Sequence, residues 1–325
     1  MGLGVPDPKG IFGSTLGLQE KYGPDRVFDI PLSENAMTGV ALGAAITGMR
    51  PIITHQRIDF ALVSIEQIVN QAAKWHFMFG GAMQAPLVIR MIIGRGWGQG
   101  PQHSQSLQAW FAHIPGLKVI MPTTAADAKG MLTAAVEDNN PVICIEHRWL
   151  YGITDEVPEG YYRTDLDTAH VRREGTDVTL VGASYMTLEA LRAADLLAEE
   201  GISAEVIDLR SIRPLDIETV VTSVRKTGRV IIADTGHTAF GITAEIAAAV
   251  TEHAFADLQA APVRLGLPDY PTPTSPALAA DYYPDAAQIA SRAMQSLGRD
   301  CPAEMFDHAV PANHDQPDPT FVGPF

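Results

Sequence analysis

Three residues in the first third of the chain combine a reactive type with a setting that could use it: Glu34, Phe60 and His103. Glu34 is the lone carboxylate at the mouth of "SENAMTGVALGAAITG", a segment otherwise small or apolar. Its plainest role is to offset a helix dipole from the first turn, with Ser33 as N-cap. The segment is so rich in Gly and Ala that both of its faces are expected to be packed. A carboxylate held there would be largely desolvated, the condition under which acid–base groups are tuned. Phe60, in "RIDFALVSIEQIVNQAAKWHFMFGG", lies where a strand hands over to a helix, and its ring could fill the core or meet a ligand. His103 follows "GRGWGQG", four glycines within seven residues, a backbone-exposing loop that delivers "QHSQS" to the next helix. It could simply begin that helix, or it could move protons near neutral pH.

Other chemistries find little support. The Gly-rich loop lacks both the GxGxxG register and the lysine of a P-loop. Cys144 and Cys301 are far apart and no His/Glu pair has metalloprotease spacing, so no zinc site is expected. There is no GxSxG elbow. His76 in "AAKWHFMF" and His113 in "AWFAHIPG" have apolar neighbours and read as core groups, whereas His237 in "ADTGHTAFG" follows a strand and could meet an anion or a partner.

The elements that must position these residues are apolar runs of strand length alternating with helix-period segments, the mark of α/β architecture with open, mainly parallel sheets. Strands are expected at "RVFDI", "RPIITH", "APLVIRMII", "LKVIMP" and "PVICIEH", with helices over 34–48, 60–78 and 125–137. The last opens after "PTT", a Pro and Thr start signal. In such sheets the ligand crevice lies beyond the carboxyl ends of the strands, where Glu34, Phe60 and His103 all fall. Between 150 and 176 the pattern lapses into a charged, Gly- and Pro-containing stretch, and "DVTLVGAS" then restarts the alternation. Two α/β domains are therefore expected, over 1–160 and 161–300, followed by a Pro-rich aperiodic tail over 301–325.

Composition narrows the class further. A net charge of −15 argues against nucleic acid or an anionic membrane as the main partner. No apolar run reaches the roughly 18 residues of a membrane span, and the N-terminus has no signal-like pattern, so a cytoplasmic protein is expected. Cys144, inside "PVICIEH", reads as a buried free thiol.

Five blocks, in order, carry a family resemblance: "FDIPLSENAMTGVALGAAITGMRPI", "IEQIVNQAAKWHFMFGG", "PQHSQSLQAWFAHIPGLKVIMP", "DAKGMLTAAVEDNNPVICIEH" and "VIDLRSIRPLDIETVVTSVRKTGRVI". The chain from about Asp7 to Gly298 resembles the β subunit of the thiamine-diphosphate-dependent 2-oxoacid dehydrogenases, the E1 component. The resemblance implies a pyrimidine-binding domain followed by a transketolase C-terminal domain. It implies that Glu34 bonds N1′ of the cofactor's aminopyrimidine and so helps remove the thiazolium C2 proton. Phe60 would stack on that ring, with Leu32 also binding cofactor, and His103 would meet the substrate carboxylate and assist acyl transfer. The segment holding Ala135, Asp138 and Asn140 resembles a family site for a monovalent cation such as K+.

The family anchors the diphosphate through Mg2+ held by a Gly-Asp-Gly segment, and no "GDG" occurs here. The resemblance thus implies an α subunit that supplies the metal ligands, an α2β2 heterotetramer, and a lipoyl-domain acyltransferase as acceptor. The usual β subunit begins earlier, with a further helix and strand; either the sheet here lacks a strand or the partner supplies that piece, the second being expected because an uncovered central strand would be a long unpaired edge. Arg57, Asp59 and Trp97 depart from common family residues and are expected to reshape the substrate pocket. Two other functions stay open: a two-chain carboligase or transketolase-like enzyme using a non-lipoyl acceptor, and a non-catalytic β-like subunit.

Overall fold

A computed structural model describes residues 1–7, 13–96, 98–302 and 304–310. The chain divides into two compact units, the first ending at Leu166 and the second beginning at Asp167. Both are α/β.

The first unit contains α1 (Leu18–Tyr22), α2 (Glu34–Ile46), β1 (Ile52–His55), α3 (Ile58–Ala61), α4 (Ala73–Met78), β2 (Val88–Ile93), α5 (Gln108–Ala112), β3 (Lys118–Ile120), α6 (Ala125–Glu137) and β4 (Val142–His147). Its strands run in the order β1-β2-β4-β3, every pairing parallel. Such a sheet is covered on both faces, so its strands are almost continuously apolar. In β2, "VIRMII", only Arg90 is less than fully buried. The segment expected as one helix over 60–78 is instead α3, a 3-10 turn, a π-helical stretch over Gln67–Ala72, and α4. α6 begins where Thr124 Oγ1 accepts the Asp127 amide at 3.1 Å, as the Pro-Thr signal predicts.

The expected strand at "RVFDI" does not form. Its backbone groups are satisfied locally: Val27 N bonds Gly23 O in a turn, Gln19 Nε2 reaches Val27 O, and Asp29 Oδ1 accepts from Gly4 N and Ile30 N. With those groups engaged, no ladder is needed. Met1 and Gly2 lie along β1, through Met1 N to Ile52 O at 2.8 Å and a Gly2–Thr54 bridge.

The second unit comprises β5 (His170–Arg173), β6 (Val178–Gly182), α7 (Tyr185–Glu199), β7 (Ala204–Asp208), β8 (Ser211–Arg213), α8 (Ile217–Thr227), β9 (Val230–His237), α9 (Ile242–Ala254), β10 (Val263–Leu267), α10 (Pro276–Ala279) and α11 (Ala286–Ser296). Its five-stranded sheet has the order β10-β9-β6-β7-β5, parallel except for the edge strand β5. Glu189, buried in α7, accepts the Ala286 amide at the start of α11 and so joins the two helices. Most of the Pro-rich tail, 311–325, lies outside the described residues. Among the described residues no helix is long and apolar enough to cross a membrane.

Candidate functional site

Parallel pairing sets the geometry of the site. The register matches His55 with Met91 and Ile93 with His147, so the segments leaving β1, β2 and β4 emerge at one edge of the sheet. β2 is flanked by β1 and β4, and its outgoing loop is therefore flanked by theirs. That loop, over 94–107, begins at Gly94, whose φ of +99° is left-handed; a Cβ there would also lie 2.8 Å from the His147 ring. Gly94 thus needs to be glycine on two counts.

The β1 exit carries Phe60 on α3, and the β2 exit carries His103. Their rings meet edge to face, with centroids 5.4 Å apart and planes at 86°. His103 is exposed and Phe60 half-buried, so the pair sits at the surface of the unit and not in its core. The β4 exit brings Arg148. Arg57 and Arg148, arriving from opposite sides, both donate to the side-chain oxygen of Gln99, Arg148 Nη1 at 3.0 Å. Burial, with the neighbouring Arg57 charge, pushes Arg148 down to about 9. Gln99 was not singled out by residue type. The signal that finds it is topological: the middle strand's loop must be held from both neighbouring strand ends.

Glu34 is the first residue of α2 and is half-buried. The expectation that both faces of α2 are packed fails. Thr38, Ala41, Leu42 and Ala45 face inward, while Asn35, Ala36 and Val40 are exposed. Ser33 occupies the N-cap position but makes no side-chain cap bond. Among the described residues the Glu34 carboxylate has no hydrogen-bond or ion-pair partner, and the adjacent Leu32 is 76% exposed. The start of α2 thus presents an unpaired carboxylate and, two residues earlier, an exposed apolar side chain. Glu34 makes no ring contact or hydrogen bond with Phe60 or His103, but α2 is tied to the segment following Phe60 through Thr38 Oγ1 donating to Ser64 Oγ at 3.0 Å.

Ala135, Asp138 and Asn140 lie at the C-terminal end of α6, where helix carbonyls point outward. Cations of the chain already serve this end. Arg50 Nη1 donates to Val136 O at 2.9 Å and Asp138 O at 2.8 Å, and Arg50 Nη2 to Asn139 Oδ1 at 2.7 Å. Lys118 pairs with the Asp138 carboxylate, which also accepts the Asn140 amide at 2.8 Å. Among the described residues no group of three or more His, Cys, Asp or Glu could hold a metal ion.

Arg57 does not behave as a pocket residue. It is buried, and its guanidinium bonds Gly94 O, His103 O and Gln99. Trp97 lies outside the described residues. His76 and His113, expected in the core, are both exposed; Phe77, Met78 and Trp110 near them also face outward, whereas Phe111 is buried. His237 Nδ1 is engaged by Pro268 O at 2.8 Å. Cys144 is a buried free thiol, as expected.

Comparison with known proteins adds an independent line. Residues 3–154 match the family model "Transketolase, pyrimidine binding domain" and residues 167–289 match "Transketolase, C-terminal domain". The chain is 47% identical over 288 residues to the β subunit of acetoin:2,6-dichlorophenolindophenol oxidoreductase of Cupriavidus necator, covering 89% of this chain and 85% of that one. It is 44% identical to subunit beta-1 of the mitochondrial pyruvate dehydrogenase E1 component of Arabidopsis thaliana, covering 84% and 76%. A solved structure described as a split-gene transketolase, an inactive β4 tetramer, superposes with a TM-score of 0.72 at 27% identity, covering 92% of this chain and 91% of that one.

Proposed function

Because the chain belongs to the transketolase-like family of E1 β subunits of thiamine-diphosphate-dependent 2-oxoacid dehydrogenases, we propose that it works with an α subunit to decarboxylate a 2-oxoacid and pass the acyl group to a lipoyl carrier. Thiamine diphosphate, when bound, supplies the carbon nucleophile that adds to the 2-oxo group. The residues of this chain provide the rest. Glu34 would share a proton with N1′ of the aminopyrimidine, its protonated carboxyl donating to the neutral ring nitrogen and its carboxylate accepting once that nitrogen is protonated. Phe60 and Leu32 would flank the ring and orient it without adding charge. His103, exposed at the loop tip, binds the substrate carboxylate and moves a proton through its imidazole. The contact between Phe60 and His103, which joins the cofactor-orienting and substrate-facing groups, is the observation that carries this reading.

The finer partners follow from what this chain presents. Mg2+ and the diphosphate are assigned to residues of the α subunit. K+ at the backbone oxygens of Ala135, Asp138 and Asn140 would have to compete with Arg50, which already donates to Asp138 O, while the Asp138 carboxylate is taken by Lys118. The first unit exposes the large apolar side chains Leu32, Val40, Val63, Phe77, Met78 and Trp110. The α subunit is the proposed cover, in an α2β2 assembly.

The test titrates thiamine diphosphate with MgCl2 by calorimetry into the co-expressed pair, the lone chain and the pair carrying Glu34→Gln. Turnover is followed by pyruvate-dependent or acetoin-dependent reduction of 2,6-dichlorophenolindophenol, with and without a lipoyl domain. Tight binding by the pair, weak binding by the lone chain and a loss of about 100-fold or more in the variant's turnover are expected. Equal binding by the lone chain, or full activity in the variant, sinks the reading.

A further inference from the structure

Arg57 and Asp59 bracket the start of α3, and neither is used by the function assigned above. We propose that both are positioning residues: they fasten the His103 loop to the first turn of α3 and thereby set the His103–Phe60 geometry. The inference rests on the placing of Phe60 and His103 in the site.

Arg57 is the N-cap residue of α3, three positions before Phe60, and its side chain is turned away from that helix into the loop leaving β2. One guanidinium nitrogen, Nη1, donates to His103 O at 2.7 Å and to Gly94 O at 3.2 Å. The two ends of the Gly-rich loop are thus brought together on a single atom. The other nitrogen, Nη2, donates to the Gln99 side-chain oxygen in the middle of the loop. That oxygen also accepts Gly96 N at 3.0 Å, and the Gln99 carbonyl accepts Arg95 Nε at 3.0 Å. A loop with four glycines has little conformational preference of its own, so these bonds must select its shape.

Asp59 supplies the second arm. Its Oδ1 accepts from Gln105 Nε2 at 2.8 Å and, at 3.4 Å, from Gln105 N. Burial holds Asp59 above the usual carboxylate range. Arg57 therefore holds residue 103 and Asp59 holds residue 105, on either side of the buried Ser104. The backbone flanking His103 is fixed from two sides while its imidazole stays exposed. Both arms originate within three residues of Phe60, so the ring pair moves as one piece. The fork is specific to arginine, because a lysine presents one compact donor group and cannot span His103 O and Gln99 together.

The test uses the enzyme with its α subunit and the variants Arg57→Met, Arg57→Lys and Gln105→Met. Hydrogen–deuterium exchange is read over residues 94–105, together with thiamine diphosphate affinity and the separate kcat and KM for pyruvate. Exchange in the loop should rise roughly tenfold or more in both Arg57 variants, lysine failing to rescue. The Kd for thiamine diphosphate should stay within about threefold, because neither residue meets the cofactor, while kcat falls by up to about 100-fold from a misplaced His103. Gln105→Met, at a half-buried position, should loosen the same segment by a smaller factor and keeps the test open if Arg57→Met does not fold. Unchanged exchange over 94–105, or full rescue by lysine, overturns the inference. Failure of even the wild-type pair to bind thiamine diphosphate would instead strike at the assigned function, and the exchange data would still decide the coupling.

Discussion

Mild acid should loosen the first unit at a pH where most carboxylates are still ionised, and the cause is two histidines at strand ends. His55 closes β1 and His147 closes β4; both are buried, with relative exposures of 3% and 1%. Burial pushes His55 down to about 4, and burial with the adjacent Arg148 charge pushes His147 down to about 3. In the unfolded chain both titrate near 6.5. Their folded values are depressed, so the unfolded state binds more protons below 6.5; the stability they contribute is complete above that pH and is lost as pH falls towards 4 and 3. Each group approaches a cost of about 1.4 kcal/mol per pH unit below 6.5, so the pair removes about 4 kcal/mol between pH 7 and 5. Asp59, held above its ordinary value, acts in the opposite sense and offsets part of this. A loss of this size is a large fraction of the roughly 5–15 kcal/mol that holds a domain together. All four tryptophans lie before residue 150, so tryptophan fluorescence, excited where tyrosine does not absorb, reports on this unit. Urea titrations should show the midpoint falling by about 2 M between pH 7 and 5, given a slope near 2 kcal/mol/M. A midpoint that does not move, or one that falls equally in a His55→Asn, His147→Gln double variant, refutes the reasoning.

Glu146 holds Arg90 bidentately, at 2.6 and 2.8 Å, and accepts Tyr151 Oη at 2.7 Å inside the first sheet. Glu146→Gln should destabilise by about 3–5 kcal/mol in urea unfolding, whereas Arg90→Met with Glu146→Leu should recover most of it. Phe60→Ala should weaken thiamine diphosphate binding to the two-chain enzyme about tenfold by calorimetry, with Phe60→Tyr close to wild type. Phe77, 87% exposed on α4, should be neutral for the fold of the lone chain, yet Phe77→Asp should abolish co-purification with the α subunit; unchanged co-purification would remove α4 from the proposed interface.

The sheet strands of the first unit were legible because parallel strands buried on both faces leave near-continuous apolar runs, as "PVICIEH" and "APLVIRMII" do. "RVFDI", with three apolar residues in five, reads like a short strand and is not one, since Asp29 and the Gly23 turn satisfy its backbone from within. Residue type and position after a strand were enough to bring Phe60 and His103 forward. The hydrogen bonds that hold them were not legible. Arg57 was expected to reshape the substrate pocket because sequence shows that a charge sits near Phe60, not which way its side chain turns. Its direction is decided by strand order, which places the β2 loop between the β1 and β4 exits.

The remaining errors share one physical origin. His76, His113 and the outer face of α2 were expected in the core because their neighbours are apolar, and in this chain several of those neighbours, Phe77, Met78, Trp110 and Val40 among them, face outward. A sequence pattern records that a surface is hidden from water, without recording whether the same chain hides it. An apolar face that is exposed here thus carries the signature of burial in an assembly. The same argument applies to Glu34. Its carboxylate begins a helix whose outer residues, Asn35, Ala36 and Val40, are exposed, and it has no partner among the described residues. Closing a second chain over that face would remove water from around Glu34 without giving it a partner from its own chain. The desolvation expected of an acid–base carboxylate would then be supplied on assembly, and the lone subunit would hold the right residue in a dielectric too high for its task.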